Sequence, residues 1–160
     1  MRDADFDRLY RREAQALYGF LAYRTGDRAL AEDLLADTFE RALRARRGFD
    51  RRRGTERNWL YAIALNLLRD HARRAATEGR AVERVHTGAP AAADSAAADV
   101  ERRDELQRAM VSLAEEEREA IALRFGAELT VPEMAAVLDL PLTTVEGRVY
   151  RALRKLRERL

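Results

Sequence analysis

The 160-residue chain has no cysteine, so disulfides and cysteine-ligated zinc or iron–sulfur centres are excluded. It has three prolines and eight glycines amid abundant Ala, Leu, Arg and Glu, a balance that favours helix throughout. No apolar run approaches the roughly 20 residues of a membrane helix. Nor does a short apolar stretch follow Met1-Arg2-Asp3 as in a secretory signal, so a cytoplasmic protein without membrane insertion is expected. The only histidines are His71 and His86. With no glycine-rich phosphate loop, no Ser/His/Asp set and no metal-spaced cluster, neither an enzyme nor a metal or cofactor site is expected. The expected fold class is all-α.

The net charge of +2 hides a blocky distribution. Residues 26–40 carry five acids against Arg28, a net of −4, and residues 41–75 carry eleven arginines against three acids, a net of +8. The sign then flips again, with a net of −5 over 112–140 and +4 over 141–160. Each half is acidic first and basic second, which fits two modules that each touch a polyanion. Lys155 is the only lysine, so nearly all positive charge sits on guanidinium groups able to bind phosphate bidentately.

Gly79, Gly88 and Pro90 interrupt the helical pattern, and residues 89–100 offer almost no large apolar side chain to bury. Residues 76–104 therefore read as a flexible linker between two small helical domains, 1–75 and 105–160. In the first, a helix is expected over about Asp5–Tyr23. A second carries apolar pairs four apart, Leu30/Ala31, Leu34/Leu35, Thr38/Phe39 and Ala42/Leu43. After an arginine-rich loop, a third runs from Asn58 to Arg74, making a bundle.

On that third helix, 100° steps gather Leu60, Ile63, Ala64, Leu67 and Leu68 on a core side. Across from them Trp59, Ala62, Asn66, Arg69 and Arg73 form a second stripe. Aromatic, amide and guanidinium groups in line can stack and hydrogen-bond unpaired bases while holding their phosphates. From periodicity alone, a core-edge tryptophan beside solvated arginines fits equally well.

In the second domain Val131, Met134, Ala135 and Leu138 mark a short buried helix, with capping-box spacing from Thr130 to Glu133 and Pro132 in the first turn. A turn at Asp139-Leu140-Pro141 leads to a second helix near Thr143, again with capping-box spacing, to Glu146. Its expected core face is Val145, Val149, Ala152, Leu153, Leu156 and Leu160. Thr144, Gly147, Arg148, Arg151, Arg154 and Lys155 lie opposite, with Tyr150 at the margin. This is the pattern of a helix-turn-helix, whose second helix enters the major groove.

The runs Ala31-Glu32-Asp33-Leu34-Leu35-Ala36-Asp37-Thr38-Phe39 and Trp59-Leu60-Tyr61-Ala62-Ile63-Ala64-Leu65-Asn66, followed by the helix-turn-helix over Thr130–Leu156, resemble extracytoplasmic-function sigma factors of bacterial RNA polymerase. The resemblance implies that residues 1–75 are region two, which binds the β′ clamp helices and melts the downstream promoter element. It implies that residues 105–160 are region four, which binds the β flap and reads the upstream element. Asp33, Leu34, Asp37, Phe39 and Glu40 would then contact core polymerase. Phe49, Trp59, Ala62, Asn66, Arg69, Arg73 and Arg74 would hold the melted non-template strand. Thr144, Gly147, Arg148, Tyr150, Arg151, Arg154 and Lys155 would meet the upstream element. An anti-sigma factor is an expected further partner.

This chain departs from the family pattern at Ala36, where Gln is usual, at Leu43, where an aromatic is usual, and at Thr143-Thr144-Val145-Glu146-Gly147-Arg148, where Gly-Thr-Val-Lys/Arg-Ser-Arg is usual. Glu146 is expected to cap its helix rather than accept from a cytosine amino group. Two other functions fit parts of the pattern. A polymerase-independent regulator leaves the acidic helix and the Trp59 stripe without purpose, and a sigma-like decoy that sequesters an anti-sigma factor leaves the arginines without purpose.

Overall fold

The computed structural model describes residues 1–79 and 97–160. Seven α-helices account for most of these residues: α1 (Asp3–Thr25), α2 (Arg28–Ala45), α3 (Glu56–Thr77), α4 (Ala97–Val111), α5 (Glu115–Ile121), α6 (Val131–Leu138) and α7 (Leu142–Arg159). No strand occurs among the described residues. A 3-10 turn at Arg46–Gly48 follows α2, and a π turn at Ala122–Gly126 continues α5. The stretch expected to be linker is helical at both edges, since α3 reaches Thr77 and α4 begins at Ala97. Its centre, with His86, Gly88 and Pro90, lies outside the described residues.

Local signals set the helix ends. Gly26 sits at φ +67°, and its amide donates to the Ala22 carbonyl at 2.8 Å, closing α1. Asp27 and Thr55 then cap α2 and α3 by accepting from the amides of Leu30 and Asn58, each at 3.1 Å. The box at the start of α6 forms as expected: Thr130 accepts from the Glu133 amide at 3.3 Å, and Glu133 accepts from the Thr130 amide at 2.9 Å. The box expected at Thr143 does not form. Pro141 is the N-cap, its carbonyl accepts from the amides of Thr144 and Val145, and α7 starts at Leu142. Thr143 is thus already inside the first turn, and Glu146 caps nothing there.

The first three helices pack around Leu9, Leu17, Phe20, Leu34, Phe39, Leu60 and Leu68. On α3 the buried face is wider than the expected stripe, because Tyr61 and Leu65 are also inside. Neighbours on more than one flank explain this, α2 and α1 on one and α6 on another. The same core continues into the second domain through Ala120, Leu123, Met134, Val137 and Val145. A smaller cluster of Ala109, Met110, Leu113, Ile121, Ala152 and Leu156 joins α4, α5 and α7. Arg118 fastens it by donating to the carbonyls of Met110, Val111 and Leu113 at the end of α4. Two residues expected on the core face of α7 are outside: Leu153 is 37% exposed and Leu160 63% exposed. Only the narrow line of Val145, Ala152 and Leu156 is buried, one step beside Leu153, and Leu160 lies at the chain end.

The two domains meet where the π turn lies against α1. A Cβ at Gly19 would overlap the carbonyl oxygen of Gly126, and one at Gly126 would come within 2.6 Å of the Gly19 carbonyl oxygen. Backbone thus touches backbone here, which only two facing glycines permit. Leu123, fully buried, lies in the same π turn.

Candidate nucleic-acid interface

The stripe on α3 is outward-facing. Ala62, Asn66, Arg69, Arg73 and Arg74 are exposed, while Trp59 is half-buried at the start of the helix. Phe49, half-buried on the loop after α2, leans on Trp59 with ring centroids 5.2 Å apart and planes tilted by 55°. The structure therefore joins the loop aromatic to the helix stripe, a pairing that helical periodicity could not reveal. Arg73 pairs with Asp70 one turn back, and Arg69 donates to Glu119 of α5 at 3.2 Å.

Beneath the loop lies a network that the sequence reading missed. Glu13, on α1 and only 1% exposed, accepts from Arg57 Nε at 3.0 and 3.2 Å and from Arg12 Nε at 3.0 Å. These bonds to Glu13 raise both guanidinium groups above their ordinary pKa. Arg12 also reaches Glu56 at 3.2 Å, and Arg57 makes a second ion pair with Glu133 of α6. The signal was present: Glu13 falls four residues from both Leu9 and Leu17, on the apolar side of α1. Nearby Tyr61 is fully buried and its hydroxyl has no hydrogen-bond partner; burial pushes its pKa upward.

Two clefts follow the basic surface. One, of about 950 Å³, has Phe49, Arg51, Arg52 and Arg53 on one wall and Pro132 and Glu133 on the other. The second, of about 500 Å³, has Asn66, Arg69 and Arg73 facing Glu115 and Glu119.

On α2 the residues expected to meet polymerase divide into two sets. Asp33, Asp37 and Glu40 are exposed, with Glu40 paired to Arg44 at 2.7 Å. Leu34 and Phe39 are core residues instead, 5% and 6% exposed. The Phe39 ring packs edge-on against Tyr10 at 4.7 Å and Phe6 at 6.2 Å. Both belong to the buried stripe Ala31, Leu34, Thr38, Phe39 and Ala42, which leaves the acidic face as the exposed one.

On α7, Tyr150, Arg151 and Arg154 are exposed, and Thr144, Gly147 and Arg148 are half-buried. Arg151 lies over Gly147, its Nη1 3.0 Å from where a Cβ would be. Lys155 donates to Glu117 of α5 at 2.8 Å. Burial works against the charge on Glu117, but Lys155 and the Ala114 amide outweigh it and hold the carboxyl below its ordinary 4.5. Lys155 is thus a structural link between α7 and α5. Among the described residues no cluster of His, Cys, Asp and Glu could hold a metal, and no helix is long and apolar enough to cross a membrane.

Helical bundle and helix-turn-helix, each with an arginine face, are the two halves of a sigma-type transcription factor. The sigma-70 region 2 profile matches residues 9–78, and the sigma-70 region 4 profile matches residues 103–156. The sigma factor CarQ of Myxococcus xanthus is 33% identical over 97% of this chain and 88% of its own length. BldN of Streptomyces coelicolor, an ECF sigma factor, is 33% identical over 94% of this chain, which spans 58% of that longer protein. Among solved structures, the sigma factor RpoE of Bartonella quintana bound to the anti-sigma factor NepR superposes with a TM-score of 0.75 at 25% identity, covering 97% of this chain and 96% of that one. CnrH bound to the cytosolic domain of CnrY gives 0.69 at 30% identity, covering 98% and 88%. The chain belongs to the extracytoplasmic-function sigma factors of the sigma-70 family.

Proposed function

We propose that this chain directs promoter-specific transcription initiation by core RNA polymerase. The observation that carries the proposal is the ring contact of Phe49 with Trp59 at the start of α3 together with the exposed Asn66, Arg69 and Arg73 along that helix, on a different element from the exposed arginines of α7. Aromatic rings accept unstacked bases, the Asn66 amide can hydrogen-bond a base edge, and the guanidinium groups follow the backbone phosphates. The Arg148, Tyr150 and Arg151 face is suited to duplex DNA, with Arg154 on the flanking phosphates. Asp33, Asp37 and Glu40 offer an acidic docking face to the β′ clamp helices, and the second domain is proposed to meet the β flap. The domains are proposed to be region two over 1–75 and region four over 105–160, joined through 76–104. Such a factor works where polymerase does, in the cytoplasm, and contributes promoter choice and strand opening while polymerase supplies the chemistry. Because RpoE and CnrH were solved with NepR and CnrY, an anti-sigma protein is proposed as a partner here too.

The test is transcription in vitro from a genomic promoter library with core polymerase, with and without this protein. New discrete start sites are expected. Asn66→Ala should leave duplex binding intact and reduce permanganate reactivity of the melted thymines at least severalfold, as loss of a base-specific contact worth ~1–3 kcal/mol requires. Unchanged reactivity would remove Asn66 from strand capture, and polymerase binding without new transcripts would favour the decoy function.

A further inference from the structure

The end of α1 and the C-terminal half of α3 meet α4 and α5 around a cavity of about 360 Å³. None of the residues assigned above to DNA or to polymerase lines it. Its walls are mainly apolar, with Tyr23, Leu68, Ala72, Met110 and Val111 among them, and such a size and lining are ordinary for a small-molecule site.

Two guanidinium groups border this apolar space, Arg24 from α1 and Arg118 from α5. The Arg24 side chain is 12% exposed, and its Nε is buried with no hydrogen-bond partner. It faces Glu115 at 3.7 Å, beyond hydrogen-bond reach, and that carboxylate is 75% exposed. Arg118 donates through Nε and Nη2 to the three carbonyls at the end of α4, and none of these bonds uses Nη1. Burial first, and the charge of Arg24 second, hold the Arg118 guanidinium below its ordinary pKa. Two cations therefore stand close enough to repel one another beside an apolar space, with a water-exposed carboxylate as their counter-charge. A buried guanidinium nitrogen without a partner is costly, and an anion entering the cavity would relieve that cost.

We propose that this cavity binds a small organic acid, one carboxylate on an apolar body, with the carboxylate between Arg24 and Arg118 and the body against Leu68, Ala72 and Met110. The carboxylate accepts charge-assisted hydrogen bonds from the guanidinium groups and offsets the repulsion between them. The apolar walls favour a hydrocarbon or aryl body, which leaves water on binding. A bare inorganic anion lacks the second contribution, and a neutral hydrophobe lacks the first. Because the walls come from both domains, occupancy stabilises the fold as a whole.

The test is calorimetric titration of the full chain with octanoate, alongside 1-octanol, acetate and inorganic phosphate. Octanoate should saturate one site per chain and bind more than tenfold more tightly than acetate or phosphate, since each buried methylene is worth about fourfold. It should also bind about tenfold more tightly than 1-octanol, which has the same tail and no charge. Arg24→Gln should bring octanoate down to the affinity of 1-octanol and leave 1-octanol unchanged. Ala72→Leu, which narrows the cavity with a good helix former, should weaken both. Saturating octanoate should raise the Tm of the parent and leave that of Arg24→Gln nearly unmoved. Asn66→Ala, altered in the proposed strand-binding stripe, should bind octanoate like the parent, so the two readings stand or fall separately. Equal affinities of the parent for octanoate and 1-octanol would overturn the anion site. Octanoate binding no tighter than acetate would overturn the apolar one. Both comparisons are made on the parent and do not depend on the folding of any variant.

Discussion

Glu13 is the residue whose loss should be felt most widely, because one buried carboxylate ties α1 to the start of α3. It accepts three hydrogen bonds from Arg57 and Arg12, all charge-assisted. Glu13→Ala removes these and leaves space in the Leu9–Leu17 face of α1. Breaking a fully buried ion pair costs about 3–5 kcal/mol. Arg57 and Arg12 are 33% and 51% exposed, so they recover water and the expected loss falls to about 2–3 kcal/mol. For a chain of this size that lowers Tm by roughly 4–12 °C. Trp59, the only tryptophan, stands beside the loop that Arg57 holds, and its fluorescence during urea denaturation reports the region directly. Glu13→Gln keeps the shape and one acceptor oxygen, so it should cost clearly less than the alanine variant. A loss for Glu13→Ala below about 0.5 kcal/mol, the level of an ordinary surface change, would refute the idea that this network anchors the loop.

Other consequences are equally direct. Gly147→Ala should stabilise α7 by about 0.5–1 kcal/mol, since the new Cβ meets only the movable end of Arg151; a lower Tm would show that the glycine is required. Glu117, held below its ordinary pKa in the fold, contributes stability that is present above the unfolded value near 4.5 and is lost as pH falls through the folded one. Glu117→Gln should therefore flatten the stability profile below about pH 4.5, measured by urea denaturation across pH. Arg151→Ala should weaken duplex binding to the upstream element about fivefold and reduce the salt slope by about one, read by anisotropy titrations at several salt concentrations. An unchanged slope would remove Arg151 from phosphate contact.

Several of these expectations began in the sequence. Short-range rules located the first three helices within a few residues, the Thr130–Glu133 box and the basic outer face of α7. They also placed Asn66, Arg69 and Arg73 on one outward stripe. Leu34 and Phe39, assigned to polymerase contact by the resemblance, stay inside the bundle as their apolar pairing suggests, with Phe6 and Tyr10 against the Phe39 ring. Short-range rules failed where a residue's fate depends on what packs against its helix. Lys155 belongs to the basic stripe by angle, yet its long side chain reaches Glu117, 38 residues earlier. The start of α4 was hidden because the stretch 89–100 gives no apolar periodicity to read.

By itself, then, the sequence determined the helices of the first domain, the Thr130–Glu133 cap and the alternation of acidic and basic blocks, because these depend on neighbours within a turn or two and on local charge. Tertiary structure decided which faces are spent on one another. The pairing of Arg69 with Glu119 spans 50 residues and that of Arg57 with Glu133 spans 76, and the Gly19–Gly126 contact spans more still. No periodicity encodes such distances. They are fixed only when apolar faces of the two domains find a common core and bring opposite charges together across its rim.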